Sequence, residues 1–249
     1  MEDKDFLRYQ RHIMVEQIGE AGQQAFLNAK CVVIGMGGLG CPAAQYLVAS
    51  GVGELVLIDH DVIELSNLQR QILYGVDDIG KAKVDVAKYH LLKNNPDCHI
   101  EAIQTSVFDC DLDMLLLDNV DMVLDCTDNP DTRRFINHHC VEAKVKLVSA
   151  SAIQGAGQLV SFDFSQTDGP CYECIFPTTK GQVNNCATSG VLSPLLGVMG
   201  GLQATEVLRL LLGMNHHLGR LTLFDAWGMQ TQQFTFKKSS HCTVCHEIE

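Results

Sequence analysis

One stretch near the amino terminus constrains the fold more than any other part of this chain. An apolar, β-branched run leads into a glycine-rich turn at residues 35–40, a helix-like segment follows, and a second apolar run ends in Asp59. This order of strand, glycine turn, helix, strand and acid is typical of a nucleotide-binding βαβ unit. The sequence therefore predicts a nucleotide site at the carboxyl edge of a parallel sheet.

The glycines of this turn and the acid after the second strand have separate physical roles. Gly35 permits the tight turn, and Gly40 lets the helix pack close to the strand. Gly37 and Gly38 let backbone N–H groups approach a phosphate, beside a helix N-terminus that attracts anions. Asp59 can accept hydrogen bonds from ribose hydroxyls. We therefore predict that all five residues bind the nucleotide.

The remaining pattern predicts the fold class. Further strands alternate with helices as far as residue 150, which favours a largely parallel sheet. From Gly155 onwards, alternating strands at 158–164, 220–224 and 232–236 extend it in antiparallel fashion. We expect an α/β, Rossmann-like fold in one domain of residues 1–249. Its parts are a helical arm at 1–28, a nucleotide-binding part at 29–150 and a C-terminal part at 151–249. The arm is expected to begin with a helix over residues 3–18, which the glycines at 19–22 end.

Three polar residues after the βαβ unit are candidates for phosphate contacts. Asn67 and Arg70 can share one helical face, and a guanidinium suits phosphate oxygens. A surface arginine that pairs with Asp61 or Glu64 is an equal alternative. Lys83 opens a helix, where it either meets an external anion or is neutralised by nearby aspartates.

The turn Thr127-Asp128-Asn129 follows another buried strand at the same sheet edge. Asp128 could hold Mg²⁺ beside nucleotide phosphates, although a turn or capping aspartate is an equal alternative. Asp131 or Thr132 is expected to cap the next helix.

The cysteines indicate a metal centre. Cys171, Cys174, Cys242 and Cys245 form two Cys-x-x-Cys pairs, and four thiolates complete a structural zinc site. Cys186 differs from the other cysteines, because it lies in a polar stretch where a thiol could act as a nucleophile. Eleven cysteines without a secretory signal favour reduced thiols and a cytoplasmic location.

Charge and hydropathy exclude two classes of partner. The formal net charge of −12 argues against nucleic acid and anionic membranes as partners. The most apolar long stretch, residues 192–212, contains Gln203, Glu206 and Arg209 and is not a membrane span.

Taken together, the chain resembles the bacterial relatives of the ubiquitin-activating enzymes, which adenylate sulfur-carrier proteins. The resemblance covers essentially the whole chain. It is carried by the glycine loop with Asp59, residues 66–71, Lys83, residues 125–129 and the paired cysteines. The stretches 171–177 and 185–200 look more like the thiamine-pathway type than the molybdopterin-synthase type.

The resemblance implies an activity and its residues. ATP and the C-terminal Gly-Gly carboxylate of a ubiquitin-like carrier would give an acyl-adenylate and pyrophosphate, with sulfur supplied by a cysteine desulfurase or sulfurtransferase. Arg11 would reach the triphosphate of a neighbouring subunit in a homodimer, and Cys186 would link covalently to the carrier. By analogy, the nucleotide and its Mg²⁺ would be held by Asp59, Ser66, Asn67, Arg70, Lys83, Thr127, Asp128 and Asn129.

Three other functions remain open at this stage. An NAD-dependent oxidoreductase would use the same glycine pattern, but the sequence shows no obvious hydride-transfer acid. An enzyme that adenylates a modified tRNA base fits the acidic charge poorly. A non-enzymatic carrier-binding scaffold would not need the phosphate-facing residues.

Overall fold

The structure is a computed structural model that describes residues 1–177, 189–215 and 218–246. Its strands are β1 (Lys30–Ile34), β2 (Glu54–Ile58), β3 (His99–Ile103), β4 (Met122–Asp125), β5 (Lys146–Ile153), β6 (Ala156–Phe162), β7 (Arg220–Asp225) and β8 (Gln230–Thr235). In the described residues they form one sheet in the order β3-β2-β1-β4-β5-β6-β7-β8. Strands β1 to β5 are parallel, and β6, β7 and β8 continue antiparallel. This confirms the predicted fold class.

Helices cover both faces of the parallel part. They are α1 (Asp3–Ile13), α2 (Gly19–Asn28), α3 (Gly40–Ser50), α4 (Lys83–Asn94), α5 (Leu112–Leu116), α6 (Pro130–Ala143), α7 (Tyr172–Ile175) and α8 (Ser193–Leu211). Helices α3, α4 and α8 pack into the core on one face, and α5, α6 and α7 pack into the core on the other. Among the described residues, no helix is long and apolar enough to cross a membrane.

The strand sequences follow from this two-sided burial. Along β1, Cys31 and Val33 enter one core while Val32 and Ile34 enter the other. Because successive side chains of a strand point to opposite faces, a strand covered on both faces needs apolar residues at every position. The uninterrupted apolar runs are therefore the signature of central strands.

The amino-terminal arm differs from its sequence-based description. A single helix over residues 3–18 was expected, with the glycines at 19–22 ending it. Instead α1 ends at Ile13, and α2 begins at Gly19. Tertiary packing explains Gly22, because a Cβ on this residue would lie 2.6 Å from the side chain of Leu212. In α1, the buried residue is Tyr9, whose hydroxyl accepts a hydrogen bond from Asn95 at 2.9 Å.

The strand order creates a crevice where ligands bind in such folds. From β1 the chain moves outward through β2 and β3, and it then returns to place β4 and β5 on the other side of β1. The connections of β1 and β4 therefore diverge to opposite faces at the carboxyl edge. The glycine turn after β1 and residues 126–129 after β4 lie at this point.

Candidate nucleotide site and cysteine cluster

A cavity of about 600 Å³ opens at this crevice. One end is lined by Asp59 and by residues 105–108, which follow β2 and β3. The glycine turn and residues 126–129 form the middle. Ala152, the pair 190–191 and Leu196, at the start of α8, line the other end. The cavity thus runs across the ends of the parallel strands, with the glycine turn at its centre.

The glycines are required by close contacts on both sides of the turn. Gly35 has a φ of 95°, a conformation that side chains rarely adopt. A Cβ on Gly38 would lie 2.5 Å from Leu196, and one on Gly40 would lie 1.9 Å from the Gly35 carbonyl oxygen. Gly35, Gly37 and Gly38 line the cavity, whereas Gly40 lies behind it and permits the packing of α3.

Asp59 is fixed by the backbone. Its Oδ2 accepts from the Met36 N–H at 2.7 Å, and its Oδ1 accepts from the Asp61 N–H at 2.8 Å. The side chain is buried at the cavity wall. Each carboxylate oxygen keeps a further lone pair, so the group can also accept from ribose hydroxyls.

Asn67 and Arg70 lie together on the cavity wall, after a short 3₁₀ turn at Leu65–Asn67. Asn67 Oδ1 accepts from the Glu64 N–H at 3.1 Å, and an Arg70 Nη donates to the Ser66 carbonyl at 2.9 Å. Arg70 is therefore held by a main-chain oxygen and not by the carboxylates of Asp61 or Glu64. Ser66 lies outside the cavity wall, and its hydroxyl donates to Glu64.

Lys83 is a buried cation with one anionic partner in its own cavity wall. Its Nζ lies 2.7 Å from Asp61 Oδ2, and only 5% of the side chain is exposed. The Lys83 N–H also donates to the Asp61 carbonyl at 3.1 Å. Asp78, one of the aspartates considered as a neutralising partner, pairs with Lys81 instead. The Gly75 N–H and Lys81 hold the pKa of Asp78 below its usual value.

The turn after β4 is also ordered by its own side chains. The Thr127 N–H and hydroxyl both donate to Asp125 Oδ1. Asn129 Oδ1 accepts from the N–H groups of residues 131 and 132, so the expected cap at Asp131 or Thr132 was wrong and Asn129 caps α6. Asp128 remains exposed at the cavity wall. Among the described residues, it belongs to none of the clusters whose ligand atoms lie close enough to share a metal ion.

Sequence reasoning missed Arg133, which is buried beneath this turn. One Nη donates to the Ala150 carbonyl at 2.9 Å and to the Ser149 hydroxyl at 3.1 Å, and the other donates to the Thr127 carbonyl. The same guanidinium lies 3.4 Å from a carboxylate oxygen of Asp125. Asp61 was considered only as a partner of Arg70. A charged residue on a helix or loop carries no sequence signal of burial, so neither role could be recognised in advance.

Two thiols beside the glycine turn are unsuited to nucleophilic chemistry. Burial raises the pKa of Cys41 to about 12, and burial together with Asp125 raises the pKa of Cys126. The Cys126 thiol donates to Gln203 Oε1 at 3.2 Å. Both thiols stay protonated at neutral pH, as expected of packed cysteines.

The four paired cysteines meet on the face of α6 and α7. The Cys171–Cys242 and Cys174–Cys245 sulfurs are 3.6 and 3.5 Å apart, and all four lie within 4.8 Å of one another. Zn–S bonds of about 2.3 Å in a tetrahedron require such spacings, so the donor set fits zinc.

The cluster is tied to the rest of the fold and has not formed disulfides. Its cysteines are free thiols in the structure. Glu173, between the first two, accepts from Arg134 at 3.1 Å, and the Tyr172 N–H donates to Asn137 at 2.9 Å. Burial raises the pKa of Cys171 to about 12. A bound metal would instead hold the sulfurs as thiolates.

Arg11 is exposed on α1 and does not line the cavity. Cys186 lies outside the described residues.

The fold and the cavity define an α/β protein of the Rossmann-like class, with the cationic side chains of Arg70 and Lys83 in the wall of the cavity. The model of the ThiF family matches residues 9–244, and the chain belongs to this family.

Named relatives agree over nearly their whole length. The chain is 43% identical to the sulfur carrier protein ThiS adenylyltransferase of Escherichia coli, over 98% of this chain and 97% of the relative. It is 38% identical to the Escherichia coli molybdopterin-synthase adenylyltransferase, over 98% of each chain. The SAMP-activating enzyme E1 of Haloferax volcanii is 40% identical over 96% of this chain and 88% of its own. The predicted enzyme class, an adenylyltransferase, is confirmed. The oxidoreductase alternative is excluded, because the named relatives are adenylyltransferases.

The fold also recurs in solved structures of E. coli MccB. The structure of MccB with ATP matches with a TM-score of 0.80 and 26% identity, over 96% of this chain and 74% of that chain. A second, of MccB with MccA-N7isoASN, has a TM-score of 0.83 and 25% identity, with the same coverage.

Proposed function

We propose that this chain adenylates the C-terminal Gly-Gly carboxylate of a ubiquitin-like sulfur carrier, the carrier of the thiamine-thiazole pathway. The proposal depends on one combination of observations. The chain belongs to the ThiF family, it is 43% identical to a ThiS adenylyltransferase, and its cavity is lined by the residues that the sequence predicted for nucleotide binding. The likeness to MccB solved with ATP supports ATP as the nucleotide.

The nucleotide would lie along the strand ends. Asp59, fixed by two backbone N–H groups, accepts from the ribose, and the base lies towards residues 105–108. The α-phosphate then falls at the glycine turn, near Gly37 and Gly38, where backbone N–H groups and the N-terminus of α3 favour an anion. Thr127 and Asn129 border this position.

Two cations would hold the β- and γ-phosphates. Arg70 and Lys83 would exchange the Ser66 carbonyl and the Asp61 carboxylate for phosphate oxygens, and Asn67 assists through its amide. Asp128 would hold Mg²⁺, which neutralises phosphate charge. Its exposed carboxylate at the cavity wall fits a hard cation that prefers oxygen ligands and keeps several waters.

The chemical step needs positioning more than acid–base catalysis. A carboxylate oxygen of the carrier attacks the α-phosphorus, the bond from that phosphorus to the bridging oxygen breaks, and pyrophosphate leaves with the electron pair. The residues around the cavity hold the two reactants together and offset negative charge as it shifts to pyrophosphate. No proton transfer to the protein is required.

Arg11 is the basis for proposing a homodimer. It is exposed on α1, outside its own chain's cavity, which fits a residue that reaches the triphosphate bound by a neighbouring subunit. Helix α1 is anchored through the buried Tyr9, so Arg11 is presented on a fixed element.

The remaining proposals concern sulfur transfer and metal. Cys186 would receive sulfane sulfur from a cysteine desulfurase or sulfurtransferase and carry it as a persulfide. The outer sulfur would attack the carbonyl of the acyl-adenylate and displace AMP, which leaves the carrier linked to Cys186 through two sulfurs. Cys186 is not needed for the adenylation itself. Zinc in the four-cysteine cluster would join the C-terminal tail to α7. The many free thiols support a cytoplasmic location.

A second candidate carrier is the small subunit of molybdopterin synthase, because the molybdopterin-synthase adenylyltransferase is also 38% identical. The deciding experiment is exchange of labelled pyrophosphate into ATP with each carrier, side by side. Exchange with only the thiamine carrier supports the proposal, and exchange with only the molybdopterin subunit reassigns the pathway. Exchange with neither refutes adenylation of these carriers.

A further inference from the structure

Gln71 lines the nucleotide cavity and has a buried acceptor without a partner. The residue is 4% exposed and lines the cavity. Its Oε1 is one of two buried side-chain polar atoms without a hydrogen bond among the described residues. The other, Asn137 Nδ2, lies near the cysteine cluster. A buried acceptor of this kind costs free energy unless a ligand supplies the donor.

Neighbouring contacts hold Gln71 against the glycine turn. A Cβ on Gly37 would lie 3.6 Å from Gln71 Nε2. The Gln71 N–H donates to the Asn67 carbonyl at 3.0 Å, and the Tyr74 hydroxyl three residues later donates to the Met36 carbonyl at 2.8 Å. The carboxamide therefore lies between the phosphate-facing residues and the glycine turn, on a segment joined to both.

The segment that carries Gln71 is connected to the α8 end of the cavity, which the proposed position of the nucleotide leaves free. The Ser193 hydroxyl at the start of α8 donates to the Gln69 carbonyl at 2.5 Å, and Leu196 packs against Gly38. The ribose acceptor Asp59 lies on the β2 side of the turn. A second substrate must therefore approach the α-phosphate from the side of α8 and β5.

The chemistry of Oε1 narrows the ligand. A carbonyl oxygen needs a donor, whereas phosphate groups and a carboxylate bring only acceptors at neutral pH. The donors of ATP are the adenine amino group and the ribose hydroxyls, which lie towards Asp59. Apart from water, the donor left for this side is the peptide N–H of the incoming carrier tail.

We propose that Gln71 accepts a hydrogen bond from the peptide N–H of the carrier's terminal glycine and so directs its carboxylate at the α-phosphorus. The inference rests on the proposed function, because it names the contact that orients its second substrate. It makes Gln71 a carrier-binding residue and separates it from Asn67 and Arg70, which serve the triphosphate.

The test is Gln71→Met, with Gln45→Met as the matched control. Gln45 lies in a small separate groove with Ile72 and His90, outside the nucleotide cavity. Pyrophosphate exchange is measured against carrier concentration, and ATP affinity is measured by calorimetry without carrier. Loss of one hydrogen bond predicts a roughly three- to tenfold rise in the carrier KM with unchanged ATP affinity. Because an unpartnered acceptor is removed, the melting temperature of the variant should stay equal or rise.

A chemically altered carrier sharpens the assignment. A carrier whose terminal glycine is N-methylated lacks the donor, so it should slow the wild type about as much as Gln71→Met does. The two changes together should cost little more than either alone. An equal loss of ATP affinity in Gln71→Met, a lowered melting temperature, a variant indistinguishable from wild type or additive losses would each overturn the proposal. Wild type that exchanges with neither carrier would instead refute the proposed function, and this inference with it.

Discussion

A methyl group at Gly40 should damage the nucleotide site more than the fold. The added Cβ would lie 1.9 Å from the Gly35 carbonyl oxygen, whereas ordinary contact begins at 3.4 Å, so the two segments must separate by about 1.5 Å. Residue 36 is adjacent to Gly35, and its N–H holds Asp59 at 2.7 Å. The displacement therefore reaches both the phosphate loop and the ribose acceptor.

The expected magnitudes follow from this overlap. Overpacking of this kind costs about 1–3 kcal/mol, which lowers the melting temperature of a chain this size by roughly 2–12 °C. A misplacement of about 1 Å at a reacting centre can cost roughly 100-fold in rate. Gly40→Ala should therefore reduce pyrophosphate exchange by about two orders of magnitude at a temperature where the variant is fully folded.

Gly53→Ala is the matched control. Its Cβ would lie 2.0 Å from the Leu27 carbonyl oxygen, a nearly identical backbone overlap, but Gly53 does not line the cavity. Calorimetric melting and the exchange assay are run on both variants. A comparable loss of melting temperature with near-normal exchange in Gly53→Ala supports the reasoning. Equal exchange in the two variants would refute the assignment of the glycine turn as the phosphate site.

Three further predictions follow from the same geometry. Lys83→Met should weaken ATP binding roughly 10- to 100-fold, as expected for the loss of a charge-assisted hydrogen bond. It should cost little stability, because the Asp61 carboxylate that loses its partner is half exposed. Calorimetric titration measures the ATP affinity, and an unchanged affinity would exclude a phosphate role for Lys83. Arg133→Met should lower the free energy of unfolding in urea by about 3–5 kcal/mol, because Asp125 stays buried without its cation; a loss below about 1 kcal/mol would contradict this. Cys245→Ser should reduce bound zinc, assayed by atomic absorption, and lower the melting temperature; a wild type purified without zinc would disprove the metal assignment.

The predictable parts of the site depend on residues close together in sequence. The glycine turn and Asp59 occur within one βαβ unit, whose connections are short and whose strand runs are unmistakable. The two Cys-x-x-Cys pairs were equally easy to recognise, because each pair is local in sequence and four thiolates typically form a structural zinc site. The largely parallel sheet then followed from the alternation of strands and helices, and the structure confirmed it, whereas the order of the strands was not predicted.

The unpredicted parts depend on which distant segments meet. The Asp61–Lys83 pair spans 22 residues and exists because residues 61–63 run beside residues 80–83. In the sequence, Arg133 looks like an ordinary helix residue, yet its guanidinium donates to the Thr127 carbonyl in the turn after β4. The cap of α6 moved to Asn129, since its side chain and not that of Asp131 meets the free N–H groups.

By itself, the sequence determined the βαβ unit, the largely parallel sheet and the cysteine pairs, because each is written in local periodicity or spacing. Only the tertiary structure decided which charged side chains are buried and which groups they contact. The burial of a charged side chain and the identity of its partner depend on the packing of segments far apart in the chain. The ion pair of Lys83 with Asp61 is one example. The unpartnered oxygen of Gln71 likewise becomes visible only when every neighbouring group is in place.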